Sequence, residues 1–164
     1  MTINTIHDGF SALYLAINNL DIETALLILS HPEIKVDQIN QSGISALKLC
    51  SKLMASLENK KLADSHQQQK DRNTLHRIVE RICSFGENFY NPYDRLGYNL
   101  LHKAVLENDL GDLKFYNKYL DPNSITRNNH CQTALHLAIQ QNSIFAVRIL
   151  LSNPKIQINM PDSV

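Results

Sequence analysis

The chain has 164 residues, 43% of them hydrophobic, enough for one compact domain or a short array of stacked units with a buried core. Sixteen basic residues balance sixteen acidic ones, so the chain lacks the net cationic field on which binding to nucleic acid or an anionic membrane rests, and neither partner is expected. Three cysteines, Cys50, Cys83 and Cys131, are odd in number and widely spaced with no CxxC, which points to reduced thiols in a cytosolic setting rather than a disulfide framework.

The N-terminal stretch MTINTIHDGF carries neither a basic leader nor a long apolar core, and no apolar run reaches the length of a membrane span. The first helical signal is GFSALYLAI, followed by DIETALLILSHP, whose apolar residues recur at three and four spacing. GISALKLCS, GYNLLHKAV and CQTALHLAI repeat the opening pattern, and the cassettes line up at Gly9, Gly43, Gly97 and Cys131, at intervals of 34, 54 and 34 residues. The last cassette is again followed by an amphipathic run, SIFAVRILLSNP. Two short helices per unit follow. Ser11, Ser45, Asn99 and Thr133 stand where an N-cap oxygen would accept a bond from an otherwise unpaired backbone N–H. Asn18-Asn19, Asn108-Asp109 and Gln141-Asn142-Ser143 are polar connections short enough to require antiparallel helices.

The middle interval is 20 residues longer than its neighbours, and the excess falls between LKLCSKLMASLENKK and NTLHRIVERICSFG. The stretch ASLENKKLADSHQQQKDR is polar, free of Gly and Pro, and rich in helix formers. It predicts lengthened helices in a protruding hairpin with a flexible tip around Ser65 to Lys70. Leu53, Met54 and Leu57 are expected to pack against Leu75, Ile78 and Val79. Lys60, Lys61, Lys70 and Arg72 lie among acids and read as a solvated tip, not a nucleic-acid site.

Chemistry-bearing constellations are sparse. His130-Cys131 with His136 is the only local cluster of zinc-ligating types, and it lacks the paired short spacings of a metal site. His76 and Glu80 share a helix face as an ordinary polar pair. Five glycines spread over the chain form neither a phosphate-binding loop nor a dinucleotide fingerprint.

The near-34 period, the stretch Thr133-Ala134-Leu135-His136-Leu137-Ala138 and the weaker Asn99-Leu100-Leu101-His102-Lys103-Ala104 resemble the ankyrin repeat and its TPLHxA opening. Tyr14 and Lys48 replace the histidine in the first two units, and the proline of the motif is absent from all four. Val79, Ile82, Cys83 and Gly86 restore the ankyrin register after the insertion. The resemblance implies an all-α ankyrin-repeat solenoid over residues 1–164. Its repeats would run at about 6–39, 40–93 with an insertion near 55–74, 94–127 and 128–161. IQINMPDSV resembles the start of another ankyrin turn, so the array is expected to continue beyond Val164.

The resemblance further implies that His102 and His136 bond to backbone between adjacent repeats, and that the chain holds no metal, uses no cofactor and performs no catalysis. It implies a cytoplasmic monomer that binds a protein partner on the concave face made by turn tips and inner helices. The alternative is a targeting or substrate-recruiting domain of a multidomain enzyme, such as a bacterial effector acting in a host cytoplasm. In this fold the residue after each glycine-column position points toward the concave face, which places Phe10, Ile44, Tyr98 and Gln132 in a line. Arg95, Leu96 and His130 would flank that line, while Asn18, Leu106, Glu107, Gln140 and Gln141 would extend it onto the inner helices.

Overall fold

A computed structural model of the chain describes residues 3–4, 11–59, 66–86 and 93–162. Among the described residues there are eight α-helices and two isolated antiparallel bridges. The helices are α1 (Ala12–Asn18), α2 (Ile22–Leu29), α3 (Ala46–Asn59), α4 (His66–Cys83), α5 (Leu100–Leu106), α6 (Leu110–Tyr119), α7 (Ala134–Gln140) and α8 (Ile144–Leu151). They fall into two compact units, Met1–Tyr90 and Asn91–Val164. In the first, α1 packs on α2 and α3, and α4 packs on α2 and α3. In the second, α5 packs on α6 and α7, and α8 packs on α6 and α7.

The helices begin where the capping residues are. Ser11 Oγ accepts from Tyr14 N at 3.2 Å and Ser45 Oγ from Lys48 N at 3.3 Å, while Asn99 and Thr133 do the same for His102 and His136. Asp21 and Asp109 cap α2 and α6 through the N–H of Thr24 and Asp112. The paired helices are joined by one residue in the left-handed region: Leu20 at φ 55°, Asn108 at φ 53° and Asn142 at φ 53°. Asparagine tolerates that conformation through its short polar side chain, and leucine does so at a cost.

Between helix pairs the chain makes tight turns. Asn40 Oδ1 accepts from the N–H of Ser42 and Ile44, both at 2.9 Å, and Asp94 Oδ1 repeats this with Leu96 and Tyr98. Such carboxamide and carboxylate bonds add to the backbone bonds that close each turn, and the chain enters the left-handed region at Gly43 (φ 71°) and Gly97 (φ 81°). Cys131 takes the same conformation at φ 47°.

The lengthened pair forms as the sequence predicts: α3 has 14 residues and α4 has 18, against 7 and 8 in α1 and α2. Met54 and Leu57 on α3, with Leu75, Ile78 and Val79 on α4, are buried and Leu53 is half-buried. The expected tip is corrected in part, because His66 to Lys70 is the helical start of α4. Ser65, Lys60 and Lys61 lie outside the described residues.

Candidate functional site

Two turns of the second unit stand side by side. The first, Asp94 to Tyr98, is closed by Asp94 N–H to the Tyr98 carbonyl at 2.9 Å and Gly97 N–H to the Asp94 carbonyl at 3.0 Å. The second is framed by Thr126, whose N–H donates to the Gln132 carbonyl at 2.8 Å while its hydroxyl accepts from Gln132 N–H at 2.9 Å. Arg127 N–H donates to the Gly97 carbonyl at 2.9 Å and Asn128 Nδ2 to the Leu96 carbonyl at 3.4 Å, so backbone and side chain both tie one turn to the other.

On this frame Arg95, Leu96 and His130 are exposed and Tyr98 is half-buried; with Asn128 and Asn129 they line a shallow cleft of about 430 Å³. Arg127 lies with its guanidinium carbon 4.1 Å from the centroid of the Tyr93 ring. The Lys103 ammonium reaches Asp94 at 3.1 Å. Burial pushes the Asp94 carboxyl up, but the N–H of Tyr98, Lys103 and the N–H of Leu96 together hold it below its ordinary value. On the adjoining helices Leu106, Glu107, Gln140 and Gln141 are exposed, and Gln141 Nε2 donates to the Leu106 carbonyl at 3.4 Å.

The other expected residues are placed differently. Gln132 is only 8% exposed, which corrects its expected position on an open face. Its N–H and carbonyl are both bonded to Thr126, in a turn that is longer than its counterpart: Ile125 bridges Thr133 across seven intervening residues, whereas Ile39 bridges Ser45 across five. In this longer loop Asn129 and His130 are exposed and Gln132 is buried. Ile44 is half-buried and Asn18 exposed, both in the first unit, and Phe10 lies outside the described residues.

His102 sits behind this surface, fully buried. Asn99 N–H donates to its Nδ1 at 3.2 Å, so Nδ1 is the acceptor and Nε2–H donates to the Ser124 carbonyl at 3.0 Å. That bond joins the helix pair α5–α6 to the turn that leads into α7. Tyr93 and Tyr98 flank the ring at 6.4 and 6.3 Å between centroids. Burial pushes the imidazole down to about 4, against the opposing pull of the Ser124 carbonyl. His136 has a narrower role: its Nδ1 accepts from Thr133 N–H at 3.1 Å, within its own cap.

The zinc-type cluster is divided among local bonds, with Cys131 Sγ 3.6 Å from the Asn128 carbonyl and His136 turned to Thr133. Among the described residues no three His, Cys, Asp or Glu side chains gather as a metal site would require.

A family model described as ankyrin repeats (3 copies) matches residues 68–162, more than half of the sequence. The chain belongs to the ankyrin repeat family. A solved structure, the crystal structure of EF0377, an ankyrin repeat protein, aligns at 19% identity with a TM-score of 0.46, over 96% of this chain and 68% of that one. No curated protein gives a significant match. Ankyrin repeats are generally protein–protein interaction modules, and the capped helix pairs and stacked turns are the form that architecture takes here.

Sequence reasoning missed the Asx turns, although an Asn or Asp stands three residues before Gly43, Gly97 and Cys131 alike. It also missed Asn4 and Asn123. Asn4 Nδ2 donates to the Glu33 carbonyl at 2.7 Å and its Oδ1 accepts from Lys35 N–H at 2.8 Å. Asn123 makes the same pair of bonds to Lys155 and Gln157. In both cases the clamped segment follows a proline, Pro32 or Pro154.

Proposed function

We propose that this chain is a protein-recognition module that seats its partner on the turn tips and inner helices of the second unit, centred on Arg95, Leu96 and Tyr98. The observation that carries this reading is the cleft between the turns: a large exposed apolar residue, an arginine and a tyrosine stand together on a hydrogen-bonded frame. Aromatic and arginine anchors are the side chains that dominate binding energy when a partner excludes water from them. A backbone already held by Asp94, Asn128 and Thr126 loses little further freedom on binding. The zero net charge supports a protein over a nucleic acid as the partner. The same reading places the module in the cytoplasm, where Cys50, Cys83 and Cys131 stay free thiols.

The test is a pull-down with the 164-residue chain, followed by titration of the recovered partner against Arg95→Ala and Leu96→Ser. Each is expected to weaken binding by at least about 1 kcal/mol, roughly fivefold, while the melting curve stays within about 0.5 kcal/mol of the parent. Full affinity in both variants would move the site away from these turns.

A further inference from the structure

Apart from the turn surface, the second unit holds a cleft of about 570 Å³, formed by the end of α6, the end of α8 and the segments that follow them. Its described lining belongs to the second unit alone. Three of the lining side chains are lysines, Lys114 and Lys118 on α6 and Lys155 beyond α8, all exposed. Lys114 and Lys118 stand four residues apart on one helix face, where like charges repel. The helix dipole favours a cation in the last turn, which accounts for Lys118 but not for Lys155, brought in from another segment. Among the described residues none of the three ammonium groups pairs with a carboxylate, whereas Lys103 on α5 is held by Asp94. The Lys118 ammonium lies 5.2 Å from the centroid of the Tyr119 ring, a contact that steadies it without neutralising its charge. Asp121 is the one acid in the described lining, and its Oδ1 already accepts from Asn123 N–H at 3.0 Å. Three cations against one acid leave an excess of about two positive charges. The wall also contains Asn117, only 5% exposed: its Nδ2 donates to the Ile149 carbonyl at 2.7 Å, while its buried Oδ1 accepts no bond among the described residues. It lacks the donor that a buried acceptor ordinarily has.

We propose that this cleft binds a small phosphorylated and hydroxylated molecule, of the sugar-phosphate class, with its phosphate among Lys114, Lys118 and Lys155 and a hydroxyl donating to Asn117 Oδ1. A phosphate monoester carries a charge of about −1.5 to −2 at neutral pH, which matches the positive excess of the lining. The volume falls within the range of about 300 to 1,000 Å³ usual for small-molecule sites. The cleft shares no described lining residue with the turns that seat the protein partner, so either site can be removed while the other is measured.

Nuclear magnetic resonance titration of the isotope-labelled full chain at low salt tests this, with glucose 6-phosphate, inorganic phosphate and glucose as probes. The sugar phosphate is expected to shift the amides of residues 114–122 and 152–155 saturably below about 10 mM, at lower concentration than either fragment. Lys118→Ala and Lys155→Ala should each weaken it at least about threefold with an unchanged melting curve, whereas Lys52→Ala, on exposed α3 surface, should leave it as it is. Equally tight binding of inorganic phosphate would leave an adventitious ion only, and tighter binding of a phosphoserine peptide would assign the phosphate to a protein. Either result, no saturable shift with the sugar phosphate, or shifts that survive in the Lys118→Ala/Lys155→Ala double variant would overturn the proposal.

Discussion

Gly43 and Gly97 occupy the same place in successive turns, yet their surroundings differ. A Cβ on Gly43 would meet nothing within 4 Å, whereas one on Gly97 would stand 2.7 Å from the Arg127 carbonyl carbon. Gly43→Ala therefore carries only the left-handed strain, about 1 kcal/mol. Gly97→Ala must also push the backbone of the adjoining turn aside, and it is expected to lower the denaturation midpoint considerably more; equal losses would show that the turns yield freely. Cys131 already carries such strain at φ 47°, so Cys131→Gly should leave stability unchanged or raise it by up to about 1 kcal/mol in the same assay. The two histidines divide in the same way. His102→Ala strands a buried carbonyl and is expected to cost about 1 to 3 kcal/mol, while His136→Ala loses only a partly exposed cap contact, at the lower end of the range for capping residues. The sequence assigned both to one role because it records the motif but not what lies on the far side of the ring. Cys50 shows the same limit. Burial, and then the proximity of Cys83, push its thiol up to about 12, which neither the count nor the spacing of the cysteines foretells.

At the scale of elements, helix positions were legible because the period and the caps are local signals: Ser11, Ser45, Asn99 and Thr133 each begin a helix. The extent of α3 and α4 was legible for the same reason, a long stretch without Gly or Pro. What local signals could not supply was turn length. One glycine-column alignment served every unit, yet the turn before Thr133 holds two residues more than the turn before Ser45, and Gln132 in it is buried where the alignment expects exposure. The α3–α4 pair provides a test of whether its outer part is core or ornament. Leu57, 8% exposed near the end of α3, has its carbonyl bonded by Arg72 Nη2 at 3.4 Å. Leu57→Ala is expected to cost about 2 to 4 kcal/mol by equilibrium unfolding, as for a core leucine. Gln69→Ala, on the exposed start of α4, should stay within about 0.5 kcal/mol. A Leu57 loss as small as that of Gln69 would make the outer hairpin an appendage.

At the scale of the whole molecule, the groups that couple stability to acid are unevenly distributed among the described residues: the first unit holds Asp21, an exposed carboxylate held below its ordinary value by its bonds to Thr24. His102 and Asp94 both lie in the second unit. The sign for His102 follows from its neutral folded form. The unfolded imidazole takes up a proton near its ordinary value of 6.5, whereas the folded one resists until about 4. Its contribution is therefore complete above pH 6.5 and is lost progressively as pH falls toward 4, by about 2 kcal/mol at pH 5 and about 3 kcal/mol at the lower limit. Asp94, held below its ordinary value, adds a further loss only as pH falls below the usual carboxylate range. Lowering the pH from about 7 to about 5 should thus open α5 to α8 before α1 to α4. Amide hydrogen exchange read helix by helix, corrected for the intrinsic pH dependence of exchange, is expected to show protection falling in the second unit while the first is nearly unchanged. His102→Gln, which keeps a polar group without the titration, should flatten that dependence. A uniform loss of protection in both units would mean that they unfold as one cooperative body, so that the His102 proton is felt along the whole chain.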